Sequence, residues 1–519
     1  MPQSCASGTA KASRREWIGL GVLALPCLIY SMDLTVLYLA VPQISADLQP
    51  SASQLLWIVD IYGFLVAGFL ITMGSLGDRI GRRKLLLIGA AAFGAASVLA
   101  AFSTSAGMLI ASRALLGLTA ATLAPSTLSL IRNMFLDDRE RSFAIGVWIA
   151  CFSAGAILGP LVGGVLLHFF WWGSVFLVAV PVMLLLLVLG PRYLPEFKDP
   201  EAGRQDLPSV AMSISAVLAV IYGMKRIAEQ GVGVVALATI AVGLLLATAF
   251  ARRQRRLANP LIDLALFRAP AFSAALACNV LTLFIAFGFF LFIAQYFQLV
   301  LGMSPLVAGL WTAPSGLVFV VGSMAAPWLA RQAPVHWVIA GGLFLSVLGF
   351  AMLSQLGSSG FAWLMAGYLL FCAGLAPIGA LTTDLVMSSA PPERAGAASG
   401  ISETSFEFGG ALGIAALGSV VSALYRLRMG EALPAEFPRE AAAAASDSLG
   451  GALAVASRLG EAGELLATSA RAAYVATLET AAWICAGLSL LAALAVLALG
   501  TRLSTPPSAP PAAATSPGQ

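Results

Sequence analysis

GSLGDRIGRRK (residues 74–84) puts three glycines, one aspartate and four basic residues between two long apolar runs. Gly74, Gly77 and Gly81 permit a tight turn and close helix approach, and Asp78 can pair with an arginine or cap the helix that follows. Arg79, Arg82, Arg83 and Lys84 are the residues that hold a short loop on the cytoplasmic side of a bilayer. The stretch reads as an inner loop joining two spanning helices, provided that the flanking runs do span.

They have the composition to do so. Of 519 residues, 59% are hydrophobic and only 10% charged, against about 25% charged in an ordinary soluble chain. The apolar residues gather in runs such as 85–101, 175–190 and 483–500, close to the roughly 20 residues that cross a hydrocarbon core as helix. Fourteen such runs are expected to span. With the amino terminus inside, 21 of the 29 Lys and Arg fall in inner segments, and only Lys225 and Arg226 fall in short outer loops. Both termini are therefore placed in the cytoplasm, in a cytoplasmic (inner) membrane. The net charge of +4 reflects that topology and gives no reason to expect a nucleic-acid partner. Six scattered cysteines without CxxC spacing are read as small apolar packing residues.

The inner loop RERSFAIG (139–146) precedes a glycine-rich run, and PERAGAASG (392–400) precedes another, with Arg141 and Arg394 as counterparts. Two homologous halves are implied, with a binding site between them near the midplane. Residues 1–16 form a cytoplasmic start and 17–190 a first six-helix bundle. Residues 191–270 hold two additional spans, near 208–224 and 232–250, with inner linkers. A second six-helix bundle covers 271–500 and includes a long outer loop, 424–472. Within that loop 441–470 reads as an amphipathic helix on the membrane surface, and 501–519 reads as a disordered cytoplasmic tail.

Charges inside the runs single out the candidate site. A carboxylate at the centre of a spanning helix costs roughly 2.5–3.5 kcal/mol, so each needs a reason. Asp33 lies in the first run and Asp60 in the second, flanked by Trp57 and Tyr62. Arg113 is buried in LIASRALLGLTAA (109–121) and should find a carboxylate or a water cavity. In GISETSFEFGG (400–410), Glu403 and Glu407 lie one helical turn apart on one face. Asp384 stands nearer the inner side, where it either joins them or is simply hydrated. Phe406, Trp57 and Tyr62 are candidate aromatic contacts for a cation.

With those residues in view, 74–84 resembles the inner-loop signature of the major facilitator superfamily at Gly74, Asp78, Arg79, Gly81 and Arg82, which implies a gating role. GAILGPLVGG (155–164) has Gly155, Gly159, Gly163 and Gly164 on one face and Pro160 to bend the helix. In that register it resembles the antiporter motif of the drug:proton antiporters, which implies export. The stretch around Arg113 resembles the fourth-span motif, which implies help in proton transfer; Leu116 stands where glutamine is usual. MDLTVLYLAVP (32–42) resembles the first-span motif of the fourteen-span branch, and acids at both Asp33 and Asp60 imply lipophilic-cation export. Where Glu403 and Glu407 stand, the family commonly has Asn and Gln.

The expectation is an all-α membrane protein with the major facilitator fold, two six-helix bundles plus two central spans. As a proton-coupled antiporter it exports hydrophobic mono- and bivalent cations, among them quaternary ammonium biocides, dyes and viologen-like compounds. Export of a specific metabolite or a biosynthesised antibiotic is the alternative, since one fold hosts many substrates. No cofactor, no metal and a monomer are expected. Two histidines near span ends, with neither HExxH nor GxSxG, give no footing for an intramembrane enzyme.

Overall fold

The computed structural model describes residues 11–198, 206–257, 260–391, 394–433, 439–459 and 461–503. In chain order the helices are α1 (Arg14–Leu48), α2 (Ala52–Ile80), α3 (Arg82–Ala101), α4 (Ala106–Met134), α5 (Asp138–Phe169), α6 (Ser174–Leu177), α7 (Ala179–Tyr193), α8 (Leu207–Gln230) and α9 (Val234–Gln254). There follow α10 (Pro270–Gln295), α11 (Pro305–Gln332), α12 (Val335–Leu353), α13 (Phe361–Ser388), α14 (Ala395–Ala432), α15 (Arg439–Asp447), α16 (Leu449–Ala456) and α17 (Glu461–Leu503). With α6 and α7 as one pass, fourteen helical segments among the described residues are long and apolar enough to cross a membrane. An even number of passes brings Arg14 and Leu503 to one end, here the termini end. The opposite one is the hairpin end, after α15 and α16.

Local chemistry sets the helix boundaries. The Ser13, Ser51, Ser105 and Ser304 side chains accept hydrogen bonds from the first amides of α1, α2, α4 and α11, groups that have no partner within their own helix. Between α2 and α3 the connection is a single residue, Gly81, at φ +111°, a conformation that L side chains rarely adopt. A Cβ there would also stand 2.6 Å from Glu196 Oε1. That carboxylate accepts from the Arg83 and Lys84 amides at 3.0 and 3.2 Å, so the turn is docked on the segment after α7.

The glycines of α5 set how the helices approach. A Cβ on Gly155 or Gly159 would collide with Leu28 and Ser31 or with Thr35 of α1. On its other side Gly164 lies against Pro305 and Leu306 of α11, and Gly309 of α11 lies against the Pro160 carbonyl. The stripe therefore packs α5 against its own half and across the boundary onto the other. The second seam between the halves is α2 on α14, where Gly63 meets Ala411 and Gly418 meets Leu56. Both seams are tight towards the hairpin end. On α14, Gly410, Ala411 and Ile414 are buried, whereas Phe406 and Glu403 are exposed, and nearer the termini end Gly400 still faces Ile71 of α2.

Two expectations are corrected. Residues 441–470 do not form a helix lying on a membrane surface. Instead α14 runs on to Ala432 and α17 starts at Glu461, and the short α15–α16 hairpin sits on the bundle between them with Ala445, Leu449 and Ala452 buried. Its apolar face is satisfied by protein: the Tyr425 hydroxyl donates to the Ala445 carbonyl at 3.3 Å and Gly450 packs on Ser45 of α1. Nor do Lys225 and Arg226 lie in an outer loop. α8 continues to Gln230 and ends only at Gly231, φ +77°, which carries both residues inside the helix. The expected tail at 501–519 falls, beyond Leu503, outside the described residues.

Candidate functional site

The boundary between the halves holds a small cleft lined by Tyr38 of α1, Asp60 of α2, Phe287 of α10, and Phe406 and Glu407 of α14, among others. Three polar arrangements lie in and beside it, of whose residues Tyr38, Asp60 and Glu407 line the cleft itself. The first spans the halves: the Tyr30 hydroxyl of α1 donates to Glu407 Oε1 at 2.6 Å, with both side chains buried. One turn nearer the termini end on the same helix face, Glu403 is exposed and has no ion pair among the described residues. The two glutamates thus differ in setting: Glu407 is buried and lines the cleft, whereas Glu403 is exposed and is not among its lining residues.

The second arrangement is the partner that Arg113 requires. Its Nη1 stands 2.5 Å from Asp33 Oδ2, its Nε donates to the Ile58 carbonyl at 3.1 Å, and its guanidinium lies 4.5 Å from the centre of the Tyr62 ring. Arg113 is wholly buried. Breaking a buried pair of this kind by removing one member costs about 3–5 kcal/mol, because the other charge is left alone. Nη2 of Arg113 and the hydroxyls of Tyr38 and Tyr62 are buried without a hydrogen-bond partner, which leaves donors free in the same region.

The third arrangement was not foreseen. Lys225 of α8 places Nζ 2.7 Å from Asp60 Oδ2 and 3.0 Å from Oδ1, and 3.8 Å from the centre of the Trp57 ring. Asp60 and its aromatic neighbour were expected to face a substrate cation unaided. In the structure a lysine of the additional spans already fills that place, and Tyr62 likewise carries a protein cation, Arg113. Of the three candidate aromatic contacts, Phe406 alone is without one: it is 40% exposed and packs edge-on to Phe287 at 6.1 Å.

Asp384 is exposed near the termini end of α13, does not line the cleft and has no ion pair among the described residues. In the inner-loop stretch Asp78 pairs with Arg82 at 2.6 Å, one turn on, and Arg82 reaches the Pro125 carbonyl of α4 at 3.3 Å; Arg79 is exposed and Gly74 lies near Pro125. Sequence reasoning missed Tyr30 and Lys225. Nothing in the run LGVLALPCLIY marks its tyrosine. For Lys225 a signal existed: no helix breaker stands between it and Gly231, so the helix could be carried past it.

Two helical bundles, a small and largely apolar cleft between them that two carboxylates line, and buried ion pairs beside it define a multi-pass membrane transporter. The chain belongs to the major facilitator superfamily: the model described as Major Facilitator Superfamily matches residues 23–414. Among curated proteins it is 43% identical over 498 residues to the multidrug efflux pump LfrA of Mycolicibacterium smegmatis, covering 95% of this chain and 98% of that one. It is 36% identical over 469 residues to the methyl viologen resistance protein SmvA of Salmonella typhimurium, covering 89% and 93%. Among solved structures, a bacterial homologue of the human lysosomal transporter Spinster, inward-facing and unoccupied, superposes with a TM-score of 0.66 over 94% of this chain and 98% of that one. At 17% identity that likeness speaks for the fold.

Proposed function

We propose that this protein is a proton-coupled antiporter of the bacterial cytoplasmic membrane, acting as a monomer with both termini inside, and that it exports hydrophobic mono- and bivalent cations. Quaternary ammonium compounds and viologen-like dications are the substrate class, and the proton gradient drives the exchange without a bound cofactor. The observation that carries this reading is Glu407. It is a buried carboxyl at the meeting of the two halves, held by Tyr30 from the opposite half, with the exposed Glu403 one helical turn away on α14. A carboxyl in such a place holds a proton or a substrate cation, not both, and that exclusion is sufficient for exchange. Phe406 and Phe287 offer an apolar and aromatic surface to the organic part of the cation. The names of the relatives, a multidrug pump and a methyl viologen resistance protein, agree with this substrate class.

The antiporter cycle needs the two glutamates to exchange protons for cargo while the Asp33–Arg113 pair keeps its charge balanced as the halves rock. The test is dye efflux from cells or transport into everted vesicles, with and without a protonophore. Energised transport of a lipophilic cation is expected to stop on collapse of the proton gradient and to be lost in Glu407→Gln. Transport that persists without a gradient, or that ignores the charge of the compound, overturns the proposal.

A further inference from the structure

The two additional spans touch the rest of the protein at one seam: α8 packs on α2 and α14, and α9 packs on α8. A long apolar surface of α9 is left exposed, as at Val234 and Leu245, which suits lipid. Their one buried charge among the described residues, Lys225, is 2% exposed and reaches Asp60 with a carboxylate on one side and the Trp57 ring on the other. That is the donor set by which an organic cation is recognised. Asp60 also lines the cleft that holds Glu407, whereas Lys225 stands behind it and does not line the cleft.

We infer that Lys225 is a specificity-determining residue: a tethered cation, delivered by the additional spans, that occupies the Asp60–Trp57 place and so sets the charge the cleft presents to its cargo. The inference rests on the cation-export reading above. With Lys225 present, Asp60 contributes no net negative charge, and cargo meets the two glutamates only. Without Lys225 the cleft gains one negative charge. Without Asp60 it gains one positive charge, because the ammonium is then uncompensated. Removing both leaves the net charge as it was. Cation affinity should follow that ordering, with Lys225→Met above wild type, Asp60→Asn/Lys225→Met near wild type, and Asp60→Asn below it. One unit charge about 8–10 Å from the cargo, in an effective dielectric near 20, gives steps of roughly 15- to 30-fold, and larger steps for a dication.

The ordering separates this role from a structural one. A pair that only fastens α8 to α2 would be weakened by either single substitution, and both would move affinity and thermal stability in the same direction. The experiment is binding of tetraphenylphosphonium (one charge) and dequalinium (two charges) to the purified full-length protein, with thermal unfolding recorded for every variant and Lys225→Arg as the charge-conserving control. Opposite shifts for the two single variants, cancelling in the double one, with Lys225→Arg near wild type, support the inference. Should Lys225→Met fail to fold, the loss in Asp60→Asn and its recovery in the double variant carry the same sign information. Shifts of equal sign, or no shift in a protein whose wild type binds both probes, overturn it. If wild type binds neither probe, the cation-export reading itself has failed.

Discussion

Replacing either glutamate by glutamine should distinguish dications from monovalent cations, and the structure changes what the double replacement should do. Asp33 is tied to Arg113 and Asp60 to Lys225, so neither offers a free negative charge to cargo. A monovalent cation then depends on Glu403 or Glu407, whichever it reaches, while a dication with separated charges engages both. At about 4 Å in an effective dielectric near 20 the attraction is about 4 kcal/mol, of which desolvation removes a large part. A net 1–3 kcal/mol per contact corresponds to roughly 5- to 150-fold in affinity. Glu403→Gln and Glu407→Gln should each lower affinity for dequalinium within that range and change tetraphenylphosphonium affinity by less than about three-fold. Glu403→Gln/Glu407→Gln should abolish binding of both. Glutamine is close to glutamate in shape and can still accept from Tyr30, so all three variants are expected to insert and fold. The assay is direct binding of each probe to the purified variants, which reads affinity apart from the transport that Glu407→Gln is expected to lose. Equal losses for the two probes in the single variants would refute the division of charge. Retained monovalent binding in the double variant would show that Asp33 or Asp60 is free after all.

Asp33→Asn and Arg113→Ala should each remove proton-driven efflux while the protein still inserts, measured by dye efflux and membrane immunoblot; unchanged efflux in both takes the pair out of the mechanism. Gly81→Ala forces a side chain into φ +111° and towards Glu196, a strain of about 1–3 kcal/mol, and should lower the thermal midpoint without altering cation affinity. Asp206, just before α8, accepts two hydrogen bonds from Arg253 at 2.7 and 2.8 Å, which hold its carboxyl down at about 2. Its folded value lies below the unfolded one near 4, so its contribution is complete above that range and fades as pH falls towards about 2. The difference in thermal midpoint between wild type and Asp206→Asn should accordingly stay constant from pH 8 to 5 and narrow below about pH 4.

Span number and the grouping around the inner loop were legible because each rests on a local rule. Apolar length decides whether a segment crosses, and a glycine in a conformation closed to other residues decides where α2 stops. The demand of Arg113 was legible for the same kind of reason, since a buried guanidinium requires a partner, although which carboxylate would meet it was not. The pairings that define the cleft were not. Tyr30 and Glu407 are 377 positions apart and Asp60 and Lys225 are 165 apart, and no local pattern encodes which of several buried acids a distant donor will reach.

The outer-loop reading failed on a related point. A positive charge at the end of an apolar run reads as a loop residue when each run is cut at the thickness of a membrane, yet α1, α14 and α17 all continue well past that thickness. Helices stop where a breaker or a lost backbone partner stops them, not where the bilayer does. Within α8, Lys225 is 2% exposed against Asp60 of α2, and a buried ammonium needs a carboxylate as surely as Arg113 does. The asymmetry of the cleft follows from that demand. Asp33 and Asp60 each answer an internal cation, whereas neither Glu403 nor Glu407 has an ion pair among the described residues, which is why the division between monovalent and bivalent cargo is expected to turn on the glutamates.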